Sequence, residues 1–559
     1  MPYIPAKYAT VVPKFVSSGV VERAKIVVVG AGPIGLAMAL DLSLQGMDVL
    51  VLDRSSQLSD GSRAICYAKR PLEIMDRLGF AEKMVEKGVN WHVGRVFFKD
   101  DPDPIYSFDL LPLKDQKQPA MINIQQYYNE EFTIEALAER DNVEIRWGNQ
   151  VVGIDEGSEH VTVDVETDGG TYQIKADWLI ACDGAHSPIR TMMGRTFEGE
   201  TFQDNFLIAD VKFKKKHPSE RHFWFDPSFN PGQSVLLHKQ PDDVWRIDFQ
   251  VGWDIDRDEI VKPENVTPRI KAMLGDDIEF DYEWISVYTF NCRRIDRMAT
   301  DRVMFAGDAA HLVSPFGARG ANTGFQDTDN LAWKLKLVDS GLASTALLES
   351  YNSERLLAAD INILNSTRST DFITPKSKVS GIFRDSVLEL SREYPFARLF
   401  INSGRLSTPV PYPHSTLNTR DCDQWDGGVA PGTNAIDAPI SHKGQNAWLL
   451  DQLGWGFRGL YFVGPEGLND KVRQELIELA KAAVPIATLL VVPTGAEEDS
   501  TLPTLVDCKG LVQARYNTAE GDYYLFRPDQ YVAARWQKFV PGNVSNALMR
   551  AIGKSGEIA

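Results

Sequence analysis

Apolar and polar positions alternate with clearly different periods in successive parts of this chain. KIVVVG, AGPIG, LAMALDLSLQG and MDVLVLDR follow one another over residues 24–54. Two short apolar, β-branched runs thus enclose a segment with helical spacing, which predicts a strand–helix–strand unit. From about Val151 the period becomes two, in VTVDVETD and YQIKADWLIACDG, and predicts a meander returning to the first sheet near Cys182. Residues 204–292 hold NFLIADVKFKK, RHFWFD, QSVLLH, VWRIDFQV and WISVYTFNC with turn-rich joints between them, the pattern of a mostly antiparallel sheet. Helical spacing returns over residues 323–400, in LAWKLKLV and LLESYNSERLLAADINIL. LSTPVPYPHST, rich in proline and serine, then reads as an extended connector rather than a packed element. GLYFVG, LNDKVRQELIELAKAAV, ATLLVVP and YYLFRPDQYVAARW beyond it predict a separate α/β unit.

Length and charge narrow the class of protein. A chain of 559 residues exceeds one core, so several domains are expected. Lys plus Arg number 59 and Asp plus Glu 77, a net charge of -18 that repels phosphate backbones and anionic lipid, so neither nucleic acid nor a membrane is an expected partner. Cys66, Cys182, Cys292, Cys422 and Cys508 form no CxxC pair and no metal-ligand spacing, which predicts neither a disulfide framework nor a metal site and fits the cytoplasm. The first residues, MPYIPAKYATVVPKF, lack a basic stretch before an apolar block and read as an arm laid over the first domain.

Three segments carry candidate chemistry. Gly30, Gly32 and Gly35 in GAGPIG follow a strand and, with Pro33, open a helix. Without Cβ atoms they permit a tight turn, close approach of a pyrophosphate and close helix packing, while the helix start offers N–H groups and positive dipole. Asp53 ends the second strand 18 residues after Gly35, where a carboxylate can accept from ribose hydroxyls; Arg54 follows it. The unit predicts a dinucleotide, with NAD and FAD both open at this point. In LIACDGAHSPIR, Asp183 stands at a strand end; alone, such a DG is usually a turn. In GDAAHLVSPFGARGANTGFQD, Asp308 follows a short apolar run, while Gly320, Ala321 and Asn322 precede a helix whose free N–H groups suit negative charge.

Together and in this order, the three segments resemble the single-component flavoprotein aromatic hydroxylases, FAD- and NAD(P)H-dependent monooxygenases acting on phenols. ESYNSER and RPDQYVAARW extend the resemblance over essentially the whole chain, toward the branch of phenol hydroxylase and 3-(3-hydroxyphenyl)propionate hydroxylase. The implied fold is α/β. A Rossmann-type FAD-binding domain (1–190 and 299–405) interleaves with a mostly antiparallel substrate-binding sheet (191–298). A linker (406–424) and a thioredoxin-like domain without CxxC (425–559) follow. By resemblance Asp308 binds a ribityl hydroxyl, Gly320, Ala321 and Asn322 face N1 and O2 of the isoalloxazine, and Pro315 lies over its reacting edge. Arg63 reaches a phosphate and links to Asp183, and one of Gln125 and Gln126 contacts the cofactor.

The implied reaction has NADH or NADPH reduce FAD, after which O2 gives a C4a-hydroperoxide that attacks a phenolic ring made more nucleophilic by deprotonation. Such a site must be dry and aromatic. Arg246, Asp248 and Gln250 share one face of VWRIDFQV. The resemblance puts Arg246 beside the flavin, with Asp248 and Gln250 facing the pocket. His238 is a candidate for orienting or deprotonating the phenol; His222, Trp224 and Tyr288 are candidate substrate contacts. A homodimer is the expected assembly. A related epoxidase or Baeyer-Villiger-type oxygenase and a non-catalytic flavin binder are the alternatives. A halogenase fails because VGWDIDR does not supply its WxWxIP stretch.

Overall fold

The computed structural model describes residues 3–554 apart from 18, 60, 62, 92, 110–112, 215–218, 403–406 and 497. Strand Glu22–Val29, helix Pro33–Leu44 and strand Val49–Asp53 form the expected unit, and the two strands pair in parallel. Val143–Trp147 pairs on the far side of Val49–Asp53, and Gly170–Ala181 on the far side of Glu22–Val29, both in parallel. The predicted meander is Gln150–Glu156, Val161–Thr167 and Gly170–Ala181. Its last strand is long enough to serve two neighbours on one edge. Residues 170–176 pair with the meander, while Leu179, Ile180 and Ala181 pair in parallel with Val303–Phe305. All three motif segments therefore leave the same end of one parallel sheet, where ligands of such sheets bind.

A second sheet runs in the spatial order His311–Leu312, Phe280–Ile295, Phe197–Phe213, Val244–Gly252, Ser234–Lys239, Arg221–Phe225, Val93–Phe98, Tyr106–Asp109. Neighbours are antiparallel except Arg221–Phe225 with Val93–Phe98. Its last two strands come from residues far earlier in the chain, an excursion the hydrophobic pattern did not announce. Leu207, Ala209, Leu237, Ile247 and Phe249 on one face pack on Val266 and Ile270 of helix Pro263–Leu274. Phe206, Phe223, Phe225 and Leu236 on the other face the helices Ala346–Ile373, Lys378–Ser391 and Pro395–Asn402.

Past the proline-rich stretch a third sheet is centred on the parallel strands Phe457–Phe462, Ile486–Pro493 and Thr504–Asp507. Antiparallel strands flank them, including the hairpin Tyr523–Phe526 and Val532–Trp536. Among its described residues the connector has no helix or strand, but it is not a free tether. Val410 and Tyr412 are buried, and Tyr412 stacks on Tyr531 at 4.9 Å, so apolar side chains between the prolines hold it down. The RPDQ segment of the last hairpin is a junction. Arg527 donates to Glu354, Gln530 accepts from Arg70, and the Asp529 carbonyl accepts from Arg70. The N-terminal arm lies on the first sheet, with Tyr8 stacked on Trp147 at 4.5 Å. Among the described residues no helix is long and apolar enough to cross a membrane.

Candidate cofactor cleft and substrate chamber

The three glycines differ in what they leave room for. Gly30 has φ +105°, and a Cβ there would sit 2.4 Å from the Cys182 carbonyl oxygen; one on Gly35 would sit 1.8 Å from the Gly30 oxygen. Around Gly32 a Cβ would meet nothing within 4 Å, so this glycine faces open space at the start of helix Pro33–Leu44. Pro33 at the first helical position removes an N–H that has no partner within the helix anyway. Asp53 stands below, its carboxylate accepting from Ala31 N (2.5 Å) and Ser55 N (2.7 Å), with burial raising its pKa against those bonds. Arg54 is exposed.

The second and third segments bring polar atoms that lack partners. Asp183 accepts from Ile189 N at 3.1 Å with one oxygen, while its Oδ1 is buried and unbonded. Asp308 sits deep among protein atoms, yet its side chain opens into the cleft and takes no hydrogen bond among the described residues; burial raises its pKa, opposed by the charges of His311 and Arg63. What fixes Asp308 is Asp327, wholly buried in helix Gly320–Asp339. It accepts from Gly307 N (2.9 Å), His311 Nε2 (2.7 Å) and Arg355 Nε (2.7 Å). Burial would raise the Asp327 carboxyl, but the His311 and Arg355 charges hold it below the usual range. GDAAH, GFQD and SER are therefore one buried unit. Its close packing rests on Gly324, whose Cβ would lie 2.6 Å from Ile34 Cδ1 of the glycine-motif helix.

Helix Gly320–Asp339 begins at the cleft. The N–H groups of Gly320, Ala321 and Asn322 have no partner within the helix. The Asn322 side chain is committed elsewhere: it accepts from Ala68 N (2.8 Å) and donates to the Cys66 carbonyl (2.7 Å), locking the helix start to strand Cys66–Ala68. Pro315 is exposed toward the cleft, and Gly317 and Ala318 behind it both have positive φ (94° and 52°). This donor set fits FAD: open acceptors for hydroxyls at Asp53, Asp183 and Asp308, a bare backbone turn for phosphates, and a second helix start for an anionic ring.

Other predicted residues fall differently. Arg63 is exposed; its charge bears on Asp308 and Tyr288, and the expected link to Asp183 is not made, since Arg190 is the cation acting on that carboxylate. Gln125 and Gln126 part company. Gln125 is buried with Nε2 toward the Pro241 carbonyl (3.2 Å), whereas Gln126 accepts from Ala64 N (3.2 Å) and donates to Glu130 (2.8 Å), bracing the Arg63 loop. Arg246 is buried and makes a two-point pair with Asp210 on the neighbouring strand, Nε and Nη2 each at 2.7 Å. Gln250 is spent on Ser234 N at 3.0 Å. Tyr288 is half-buried near Asp308, and desolvation pushes its hydroxyl up to about 12.

An aromatic-walled chamber, partly open to solvent, lies between the second sheet and the helices. Trp91, Phe108, Phe223, Phe316, Phe372 and Phe400 wall it, with Arg95 and Arg221. Phe316 and Gly317, directly after Pro315, join it to the cofactor cleft. Strand alternation turns Arg221 and Phe223 into it, and His222 and Trp224, the expected contacts, toward the opposite face, where Trp224 stacks on Phe97 at 5.2 Å. The period-2 pattern of RHFWF holds both faces, and aromatic content alone favoured the wrong one. Beside the chamber, a narrow crevice shares Trp91 and Arg221 with it and reaches His238. His238 is buried with Nε2 3.0 Å from Asp248 Oδ2 and Nδ1 unpartnered. Burial first, then the charges of Arg221 and Arg246, lower the imidazole pKa despite Asp248. Asp248 is itself held below the usual range, its burial outweighed by His238 and the arginines. Nε2 therefore carries the proton and donates, and Nδ1 is a bare acceptor.

Comparison with known proteins agrees with this geometry. The chain is 27% identical over 537 residues to a 3-(3-hydroxy-phenyl)propionate/3-hydroxycinnamic acid hydroxylase of Shigella sonnei (strain Ss046), covering 94% of each chain. A crystal structure of the flavin-dependent monooxygenase PieE in complex with FAD and substrate superposes with TM-score 0.81 at 21% identity, over 95% of this chain and 99% of that one. The p-nitrophenol 4-monooxygenase PnpA from Pseudomonas putida DLL-E4 gives TM-score 0.60 at 26% identity, over 68% of this chain and 99% of its own. The family model described as FAD binding domain matches residues 23–366, spanning all three motif segments, and the chain belongs to that family.

Proposed function

We propose that this chain is an FAD-dependent monooxygenase that uses NADH or NADPH and O2 to hydroxylate a phenolic ring. One observation carries the reading. The open acceptors of the cleft and the aromatic chamber meet at a single loop, Pro315 to Gly317, so a redox ring in the cleft would border a space walled by aromatic side chains. When bound, FAD supplies hydride acceptance from the nicotinamide and activation of O2. The name of the Shigella sonnei relative supports a phenolic acid as substrate. Epoxidation or a Baeyer-Villiger-type reaction draws on no further feature of the site.

The chain's own residues divide the remaining work. N–H groups after Gly32 receive the phosphates, and Asp53, Asp183 and Asp308 accept from cofactor hydroxyls. The start of helix Gly320–Asp339 lends positive dipole to negative charge on the ring, with Asn322 fixing its position. Neutral His238 holds a free lone pair on Nδ1 and is the base we assign for the phenol proton, oriented by Asp248. Tyr288, pushed up to about 12, stays protonated at neutral pH and acts only as a donor or acceptor of hydrogen bonds. Arg246 with Asp210 is a strut behind this pair. We take the C-terminal unit as thioredoxin-like, on the support of its three parallel strands with an antiparallel hairpin; Cys508 stands alone there. A homodimer belongs to the same reading, supported by the exposed apolar residues Val379, Ile382, Phe383 and Leu399 on neighbouring helices.

Asp308→Ala is expected to weaken FAD retention by about 10- to 100-fold, the loss of one or two charge-assisted hydrogen bonds, while the third sheet stays folded. Flavin absorbance per protein after gel filtration reads the outcome; full retention of colour would reject the role. The reaction itself is tested by incubating holoenzyme with hydroxylated benzoates, phenylpropanoates, biphenyls and nitrophenols and identifying products. NAD(P)H oxidation without a hydroxylated product from any of them would refute the proposed activity.

A further inference from the structure

We infer that Arg221 anchors a carboxylate on the substrate's side chain, away from the hydroxylated ring; this rests on the hydroxylase reading above. Among the described residues the chamber lining holds aromatic and aliphatic side chains, Ser369 and two arginines, and no acid. Arg95 is already neutralised. It donates to Glu220 through Nε (2.5 Å) and Nη2 (2.8 Å), and the same carboxylate lies 3.2 Å from His222 Nε2. Arg221 is different. Among the described residues it has no carboxylate within 4.0 Å and no hydrogen bond, although its charge bears on Asp248, which is engaged by His238.

The Arg221 guanidinium lies over the ring of Trp91, 5.4 Å from its centroid, a cation–π contact that uses none of its N–H groups. Strand pairing fixes the base of the side chain, Arg221 opposite Gly94, the one neighbour on that strand with no side chain to crowd it. A half-buried, permanently charged, planar donor is thus presented to an apolar chamber. A neutral phenol closing the chamber would strand that charge without a counter-ion, which is costly. A carboxylate matches the fork at two points and is ionised at every working pH. A phenolate offers one oxygen, and only after deprotonation. The sheet wall that carries Arg221 is also a different element from the Phe316–Gly317 loop at the cofactor side, so an anchored acid and a reacting ring position can be served separately.

The test uses holoenzyme and two matched pairs of probes: 3-(3-hydroxyphenyl)propionate with 3-propylphenol, and 3-hydroxyphenylacetate with 3-ethylphenol. Kd is read from the change in flavin absorbance, and kcat and KM from hydroxylated product. Wild type is expected to bind each acid more tightly than its neutral partner. Arg221→Met should raise Kd and KM for the acids on the order of 100-fold, leave kcat within a few-fold, and move the neutral phenols about twofold or less. Arg221→Lys should restore part of the loss. Equal or better wild-type binding of the neutral phenols overturns the inference, whatever the variants do. Loss of the Arg221 charge raises the His238 pKa, so kcat is compared on the alkaline plateau of the pH profile; a fall there shared by acids and neutral phenols overturns the inference too and assigns Arg221 to the phenolate. Binding preference without any product would sink the hydroxylase reading and leave the anchor standing, so the two failures are distinct.

Discussion

Gly35→Ala is expected to give protein that purifies without yellow colour, its FAD affinity reduced by at least about 100-fold, the equivalent of some 3 kcal/mol. A methyl group there would lie 1.8 Å from the Gly30 carbonyl oxygen and 3.0 Å from its carbon. Both are backbone atoms in a turn pinned from the other side, where Gly30 N donates to the Leu52 carbonyl at 2.8 Å. No rotamer relieves the clash, so the turn or the helix start has to move, and either spoils the phosphate cradle. Gly32→Ala is the informative companion. Its Cβ meets nothing of the protein within 4 Å, so flavin loss in that variant would report close approach of the ligand itself. Circular dichroism and flavin absorbance on both variants separate the cases. Stoichiometric flavin in Gly35→Ala would mean that the turn does not hold the cofactor.

The legibility of this site in the sequence followed distance along the chain. The glycine motif and Asp53 lie within one strand–helix–strand unit, and local periodicity was enough to place them. The chamber is built from residues near 91–108, 221–223, 316–317, 369–373 and 400–401, and no period in one sequence links such segments. Arg246 illustrates the same limit. Its strand face was readable, but the Asp210 that consumes its guanidinium sits 36 residues earlier and meets it only across the sheet. Arg221 went unremarked because RHFWF draws attention to its aromatics, whereas what marks the arginine is that Glu220 is already taken by Arg95 and His222.

Glu354→Ala is expected to cost about 3–5 kcal/mol of stability, the usual penalty for leaving buried charges unpaired. Glu354, 2% exposed, accepts from Arg527 at 2.6 and 2.9 Å, Lys334 at 2.9 Å, Asn330 at 2.7 Å and Ser415 at 2.5 Å. Without it buried Lys334 loses its salt bridge and Arg527 is left with Asp529 alone, two cations facing each other across the junction of helix Gly320–Asp339 with the C-terminal unit. The acid limb of the stability curve provides a sharper readout. Burial would raise the Glu354 carboxyl, yet Arg527 and Lys334 hold it far below the carboxylate range. A folded pKa depressed in this way gives stability that is fully present above the unfolded value, about 4.3, and is lost as pH falls toward the folded one. Wild type and variant should therefore differ most near neutrality and converge as the pH drops through 4. Urea midpoints at pH 7, 5 and 3.5 read this directly; a gap that stays constant across them would show that the carboxylate charge is not what matters.

The same junction constrains the order in which the molecule can be made. Arg527 follows its partner Glu354 by 173 residues, and Gln530 follows Arg70 by 460. A nascent polypeptide emerging from the ribosome exposes Arg70 and Glu354 long before their late partners exist. Until then Lys334 can pair with Glu354 and Arg70 with Glu73 and Asp329, but the buried cluster between the helices and the last hairpin stays incomplete. The last hairpin is thus the clasp that completes the ion-pair cluster behind helix Gly320–Asp339.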